Sequence, residues 1–161
     1  MRPYVLKKII SKHYDTINAL SFSPDGSLFA SGADDGLIII FQGLGSGREV
    51  RRFQVKAPVT TLLWHSRFGY TVVAGDTSGD VHTICLQTLA NVRVPYGYFG
   101  TATETSFVQQ NSFYHVFNNV PGPVHCMAQS GIWLAIGSGK VVQLIKQGTI
   151  GLYNLCLRAR G

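Results

Sequence analysis

His13, Ser31 and Asp35 are the three residue types of a Ser-His-Asp hydrolytic triad, and they fall within one short stretch of chain. In such a triad an imidazole takes the hydroxyl proton while a carboxylate orients the ring. The chemistry also needs an accessible hydroxyl and donors that converge on a developing oxyanion. The sequence has no nucleophile elbow, cofactor motif or paired carboxylates to go with them. No catalytic residue is assigned, and the expectation is a chain that is not an enzyme. The other histidines are equally unpromising as metal ligands. His65 follows Trp64 in a loop, His82 alternates with Val81 and is expected to face solvent, and His115 and His125 have no Cys or carboxylate at ligand spacing. No metal and no cofactor are expected.

The elements that must position the trio read out of alternation and turn chemistry. His13 precedes an alternating apolar run, INALSF, which ends in a Ser-Pro-Asp-Gly turn. A second run, SLFAS, leads to a tight turn at Asp34-Asp35-Gly36, and a third, LIIIF, ends on Phe41. Strands are predicted near 17–22, 27–32, 37–42 and 48–55. The order of features recurs in VTTLLWHSRFGYTVVAGDTSGDVHTI, with Gly32 and Gly75 spaced 43 residues apart. Strands follow near 59–64, 70–75, 80–86 and 91–97. A weaker third copy, PVHCMAQSGIWLAIGSGKVVQLI, lies at a 62-residue offset, from Gly75 to Gly137. Its strands are predicted near 123–128, 132–137 and 140–146, with an outer strand at 150–156. PYVLKKII at 3–10 reads as an outer strand of a preceding unit. No stretch has helical periodicity, so the class is all-β.

The His, the Ser-Pro-Asp-Gly turn, the Asp-Gly turn and the roughly 40–45-residue period together resemble the WD40 repeat family. The resemblance implies a β-propeller built of four-stranded antiparallel blades; the repeats count to three, and 161 residues are short for a closed ring, so a fragment that is not closed is expected. One partial propeller spans 1–161: blade 1 at about 11–55, blade 2 at about 57–97, an aromatic insertion at about 98–120 and blade 3 at about 121–156. It also implies that His13, Ser31 and Asp35 form a structural hydrogen-bond network rather than a triad. In the family a Trp completes that network; here Phe41 stands in its place. The second blade has Ala74 and Ser78 where Ser and Asp would stand, with no matching His, and the third has Gly139 in its turn.

WD40 modules generally bind protein or peptide partners through blade loops. Carried onto this sequence, the contacts are Tyr14, Asp15 and Asp34, with Pro58, Asp76 and Thr77 as second-blade counterparts. The function expected is therefore a non-catalytic interaction scaffold. Two alternatives remain open at this point: nucleic-acid binding through basic outer strands, and a truncated propeller without independent function. The net charge is +6, with clusters at Lys7, Lys8 and Lys12 and at Arg48, Arg51, Arg52 and Lys56. Lys and Arg on outer strands also blunt exposed sheet edges, and unblunted edges would allow self-association.

Cys85, Cys126 and Cys156 match neither a zinc spacing nor a disulfide framework. Cys85 and Cys126 are expected as small buried side chains. No run approaches a membrane span and the N-terminus lacks an apolar signal core, so an intracellular setting, cytoplasmic or nuclear, is expected. The segment 96–117 holds seven aromatics with Glu104 as its sole charge. It is read as an outer strand or hairpin, or else as a partner-binding projection.

Overall fold

Alternating apolar runs punctuated by Gly-containing turns give a series of short strands, and each strand pairs with its neighbour in sequence. The computed structural model describes residues 4–43, 45–65, 71–86, 113–117 and 120–146, with the backbone alone at 85 and 113–117. The first sheet contains β1 (Ile17–Phe22), β2 (Leu28–Ala33), β3 (Leu37–Gln42) and β4 (Glu49–Gln54). The second contains β5 (Val59–Trp64), β6 (Thr71–Asp76), β7 (Val81–Cys85) and β8 (Phe113–Phe117). The third contains β9 (Cys126–Ser130), β10 (Trp133–Ser138) and β11 (Val141–Lys146). Every pairing is antiparallel and each sheet runs in chain order. The fold is an all-β partial propeller, none of whose sheets closes on itself.

The turn at 34–36 shows how the sequence sets the register. Gly36 takes a φ of 71°, a left-handed conformation that favours glycine. Its N–H donates to Ala33 O, and the Asp35 carboxylate accepts the N–H of Leu37. Asp34 N–H donates to Thr16 O, so the turn is tied to the segment that enters β1.

The three sheets stack. Ala30, Ile38, Ile40 and Phe53 of the first meet Val59, Leu62, Trp64, Val72, Ala74 and Ile84 from the second. On the far side of the second sheet, Val73 and Val81 meet Val120, Val124 and Ile136, with Leu63, Met127 and Leu134 alongside. The middle sheet is thus covered on both faces, and β6 is buried at all six positions. Apolar area removed from water at these two joints is the main favourable term holding the array together.

The joints share one geometry. A Cβ built on Gly32 would lie 2.5 Å from Val59 Cγ1, and one built on Gly75 would lie 2.5 Å from Val124 Cγ1. Both distances are shorter than any real contact, so each glycine is the hollow that receives a valine from the next sheet. Polar links follow the same plan. Asn18 Nδ2–H donates to Val59 O over 2.9 Å, and Thr60 Oγ1–H, at the equivalent strand position, donates to Val124 O. Trp64 Nε1–H adds a 2.7 Å bond to Ser21 O.

Several sequence expectations change. Residues 4–12 form no strand and pair with none among the described residues; the segment is largely exposed and touches the first sheet through Ile10 and Lys8. Ile10 packs on Leu37, Ile39 and Phe41, and Lys8 Nζ donates to Ser46 O. The strands expected at 91–97 and 150–156 lie outside the described residues. The outer position of the second sheet is occupied by Phe113–Phe117, from the aromatic segment, which pairs with β7. Cys126 is exposed rather than buried, because its face of the third sheet is uncovered among the described residues.

Replacing Gly32 by Ala should destabilise the protein by about 1–3 kcal/mol, the usual range for overpacking a filled core. In a Gly32→Ala/Val59→Ala double variant the clash is relieved, so the loss should fall short of the sum of the single losses. Urea unfolding of the four chains measures this coupling.

Candidate functional site

The trio predicted from sequence does assemble. Asp35 sits in the β2–β3 turn, Ser31 in the middle of β2, and His13 on the segment leading into β1. His13 Nδ1–H donates to Asp35 Oδ2 over 3.0 Å and lies 3.2 Å from Oδ1. That leaves Nε2 of a neutral ring to accept the Ser31 hydroxyl proton across 2.6 Å. Asp35 Oδ2 also accepts the Tyr14 N–H. Burial pushes the Asp35 carboxyl up, but the N–H groups of Tyr14 and Leu37 and the His13 ring outweigh it, and the net position is below the ordinary aspartate value.

These are the contacts of a hydrolytic relay, yet the surroundings do not suit hydrolysis. Ser31 is only 2% exposed and lies on a central strand, between Leu20 of β1 and Ile39 of β3. β2 is paired on both sides there, so its backbone is taken up by the two ladders rather than arranged around an oxyanion. The relay ties loop to strand. It stops at Ser31, because Phe41 has no N–H to donate and instead stacks on Phe29 at 4.9 Å between centroids.

Sequence reasoning missed a second network of the same kind. Asp76, offered above as a partner contact, is 1% exposed, and His82, expected in solvent, is also buried. His82 Nε2–H donates to Asp76 Oδ2 over 2.8 Å. The other carboxylate oxygen accepts from Ser78 N–H, Ser78 Oγ–H and Asp80 N–H. Burial raises the Asp76 carboxyl, but hydrogen bonds from His82, Ser78 and Asp80 outweigh it, and the net position is below the ordinary value. So the second sheet does have a His-Asp lock, built from a different strand. His82 escapes the alternation rule because its row, with Leu62 and Ala74, faces the first sheet rather than solvent.

Asp76, Asp80 and His82 bring their ligand atoms within 4.8 Å of one another, the spacing of a metal site. The donor set argues against that role. His82 Nε2 is already directed at Asp76, and both Asp76 oxygens already accept hydrogen bonds, so the cluster is a turn lock. Of the remaining histidines, His65 follows β5 and is buried, its N–H bonded to Thr71 O. His125 precedes β9, is exposed, and donates its N–H to Gly137 O.

With the locks inside, the surface at this end belongs to other residues. Tyr14 is 84% exposed, and Asp15, Asp34 and Thr77 are exposed beside it on the connectors and turns. Pro58 is half-buried, and its carbonyl accepts the N–H of Thr77. Asp34 Oδ1 accepts from Asn18 Nδ2, the same amide that bridges to Val59 O. The connectors and inner turns of the first two sheets are therefore joined into one rigid end.

The chain carries a WD40 repeat: the family model described as WD domain, G-beta repeat matches residues 4–42. A search of the curated proteins finds no match. No helix among the described residues is long and apolar enough to cross a membrane.

His13→Ala should cost about 1–3 kcal/mol, the penalty of leaving the buried groups of Asp35 and Ser31 without their partner. A thermal melt reads this as a lower midpoint with an unchanged β-sheet spectrum. The lowered carboxyls give an acid dependence of defined sign. Asp35 and Asp76 bind protons less tightly folded than unfolded, so their contribution is complete above the ordinary aspartate range, about pH 4, and is lost as pH falls through the depressed values. Asp76→Asn should be less stable than wild type at neutral pH but lose less on acidification. Urea midpoints taken from about pH 5 down to about pH 2.5 test both limbs.

Proposed function

We propose that this WD40-repeat chain is a non-catalytic interaction scaffold that holds a protein or peptide partner on the loop end formed by Tyr14, Asp15, Asp34, Pro58 and Thr77. The observation that carries this reading is the division of roles at that end. Every member of the His13–Ser31–Asp35 set, and Asp76 with His82, is turned inward and bonded within the fold. Tyr14 and the two neighbouring aspartates are turned outward on a backbone those bonds keep rigid.

A rigid loop end with an exposed aromatic suits recognition. Tyr presents a large contact area at low entropic cost, and such residues recur as binding anchors. Asp15 and Asp34 place acceptors beside it, which favours a partner segment that offers N–H donors or basic side chains. Two members of the basic clusters are already engaged within the fold. Lys8 reaches Ser46 O, and Arg52 forks onto Glu49 at 2.9 and 3.0 Å. The nucleic-acid alternative therefore has less support than the loop end.

Tyr14→Ala separates binding from folding, since the ring lies outside the core. The expected result is a partner retained by wild-type protein in affinity capture, identified by mass spectrometry and depleted at least about tenfold by the variant, with an unchanged melting midpoint. An identical set of bound proteins for the two chains would overturn the assignment of this end.

A further inference from the structure

The two sheet-to-sheet joints define what each face of a sheet must offer. The receiving face of the first sheet is a row of small residues, Ala19, Ser21, Ala30 and Gly32, which accepts Val59, Leu62 and Trp64 of β5. Register identifies the same two rows on the outer faces of the array. Ile17 stands where Val59 does, each placed just before the bulge of its strand, and Leu20 and Phe22 stand at the positions of Leu62 and Trp64. Gly137 stands where Gly32 and Gly75 do, with Cys126 as its cross-strand partner, and Ala135 pairs with Ala128.

Both rows are open. Leu20 and Phe22 are 67% and 66% exposed, while their counterparts Leu62 and Trp64 are buried. Cys126 and Ala128 are exposed, with Trp133, Val142 and Leu144 forming an exposed apolar border on the same face. A Cβ on Gly137 would meet no residue of another sheet, only Cys126. One end of the array therefore carries bulky apolar knobs and the other a hollow of small residues, in the register of the two joints already formed.

We propose that a second copy of this chain fills these faces head to tail. Ile17, Leu20 and Phe22 of one copy seat on Cys126, Ala128, Ala135 and Gly137 of the other, at both junctions. The occupant is a second copy because the complementary halves of the joint are carried by one chain. His125, at the position of Asn18 and Thr60, is placed to donate to the carbonyl of the incoming Ile17. A head-to-tail contact either closes or grows without limit. Two copies bring together six described sheets, within the four to eight of closed propellers, so closure at two is the expected outcome.

Sedimentation equilibrium of the full chain at micromolar concentrations should give twice the chain mass. Ile17→Glu and Gly137→Leu alter opposite faces, and each should weaken pairing at least about tenfold while the far-ultraviolet spectrum stays that of wild type. A cysteine at residue 17 provides a readout that does not rest on loss. At the second joint Val124 and Thr61 both crowd the Cβ position of Gly75, at 2.5 and 3.0 Å. Cys126 holds the place of Thr61, so Ile17→Cys should form a disulfide with Cys126 of another copy under mild oxidation, mapped by peptide mass spectrometry. A single-chain mass across the range, assemblies that grow steadily with concentration, or a dimer in which neither face variant weakens pairing and no 17–126 cross-link forms would each overturn the proposal.

Discussion

Val59 and Val124 enter hollows that exist only because Gly32 and Gly75 have no side chain, and the rest of the arrangement depends on this contact. The approach brings the first strand of one sheet against the strands of the sheet before it. At that separation the Asn18 amide reaches Val59 O and the Trp64 indole reaches Ser21 O. Those bonds would be out of range if the sheets were held apart by one methyl group. The connector at 55–58 then lies beside the turn at 34–36, where Val55 N–H bonds to Gly36 O. The exposed loop end is thus positioned by a packing contact well inside the array.

The ionisable groups serve the same purpose. Asp35 lies in the turn after β2 and Asp76 ends β6, and each gathers backbone N–H donors together with a histidine ring N–H. A buried carboxylate is costly unless its lone pairs are filled, and both are filled. The cost of desolvation is offset by these donors, which at the same time define the conformation of each turn. Residue types that elsewhere do hydrolysis here hold a shape, and burial and strand position decide which role they have.

Much of this was legible in the chain. The strands of the first sheet, both Gly-containing turns and the His13–Ser31–Asp35 contacts follow from alternation, turn chemistry and a family resemblance. What escaped has a common physical cause. Alternation separates a core face from a wet face only when one face is wet. The middle sheet is packed on both, so His82, which alternation places in solvent, and Asp76, which the resemblance offers as a partner contact, are both buried. The converse error was made at the end of the array. Cys126 follows a core pattern, but its face is uncovered among the described residues. The strand expected at 91–97 lies outside the described residues, while the reading of the aromatic segment as an outer strand agrees with the pairing of β7 and Phe113–Phe117.

The unequal covering of the three sheets has a kinetic meaning. Stacked units of this kind couple only to their immediate neighbours, so the free energy needed to open one depends on how many joints must be broken. The middle sheet has two joints and β6 is buried along its whole length, whereas β1, β9 and β11 each leave alternate residues exposed. In a single copy of the chain, opening should therefore begin at either end of the stack and reach β6 last. Among the described residues the backbone amides of Thr71–Asp76 become the slowest clock, and the rate at which they exchange with solvent reports unfolding of the whole array rather than of any part.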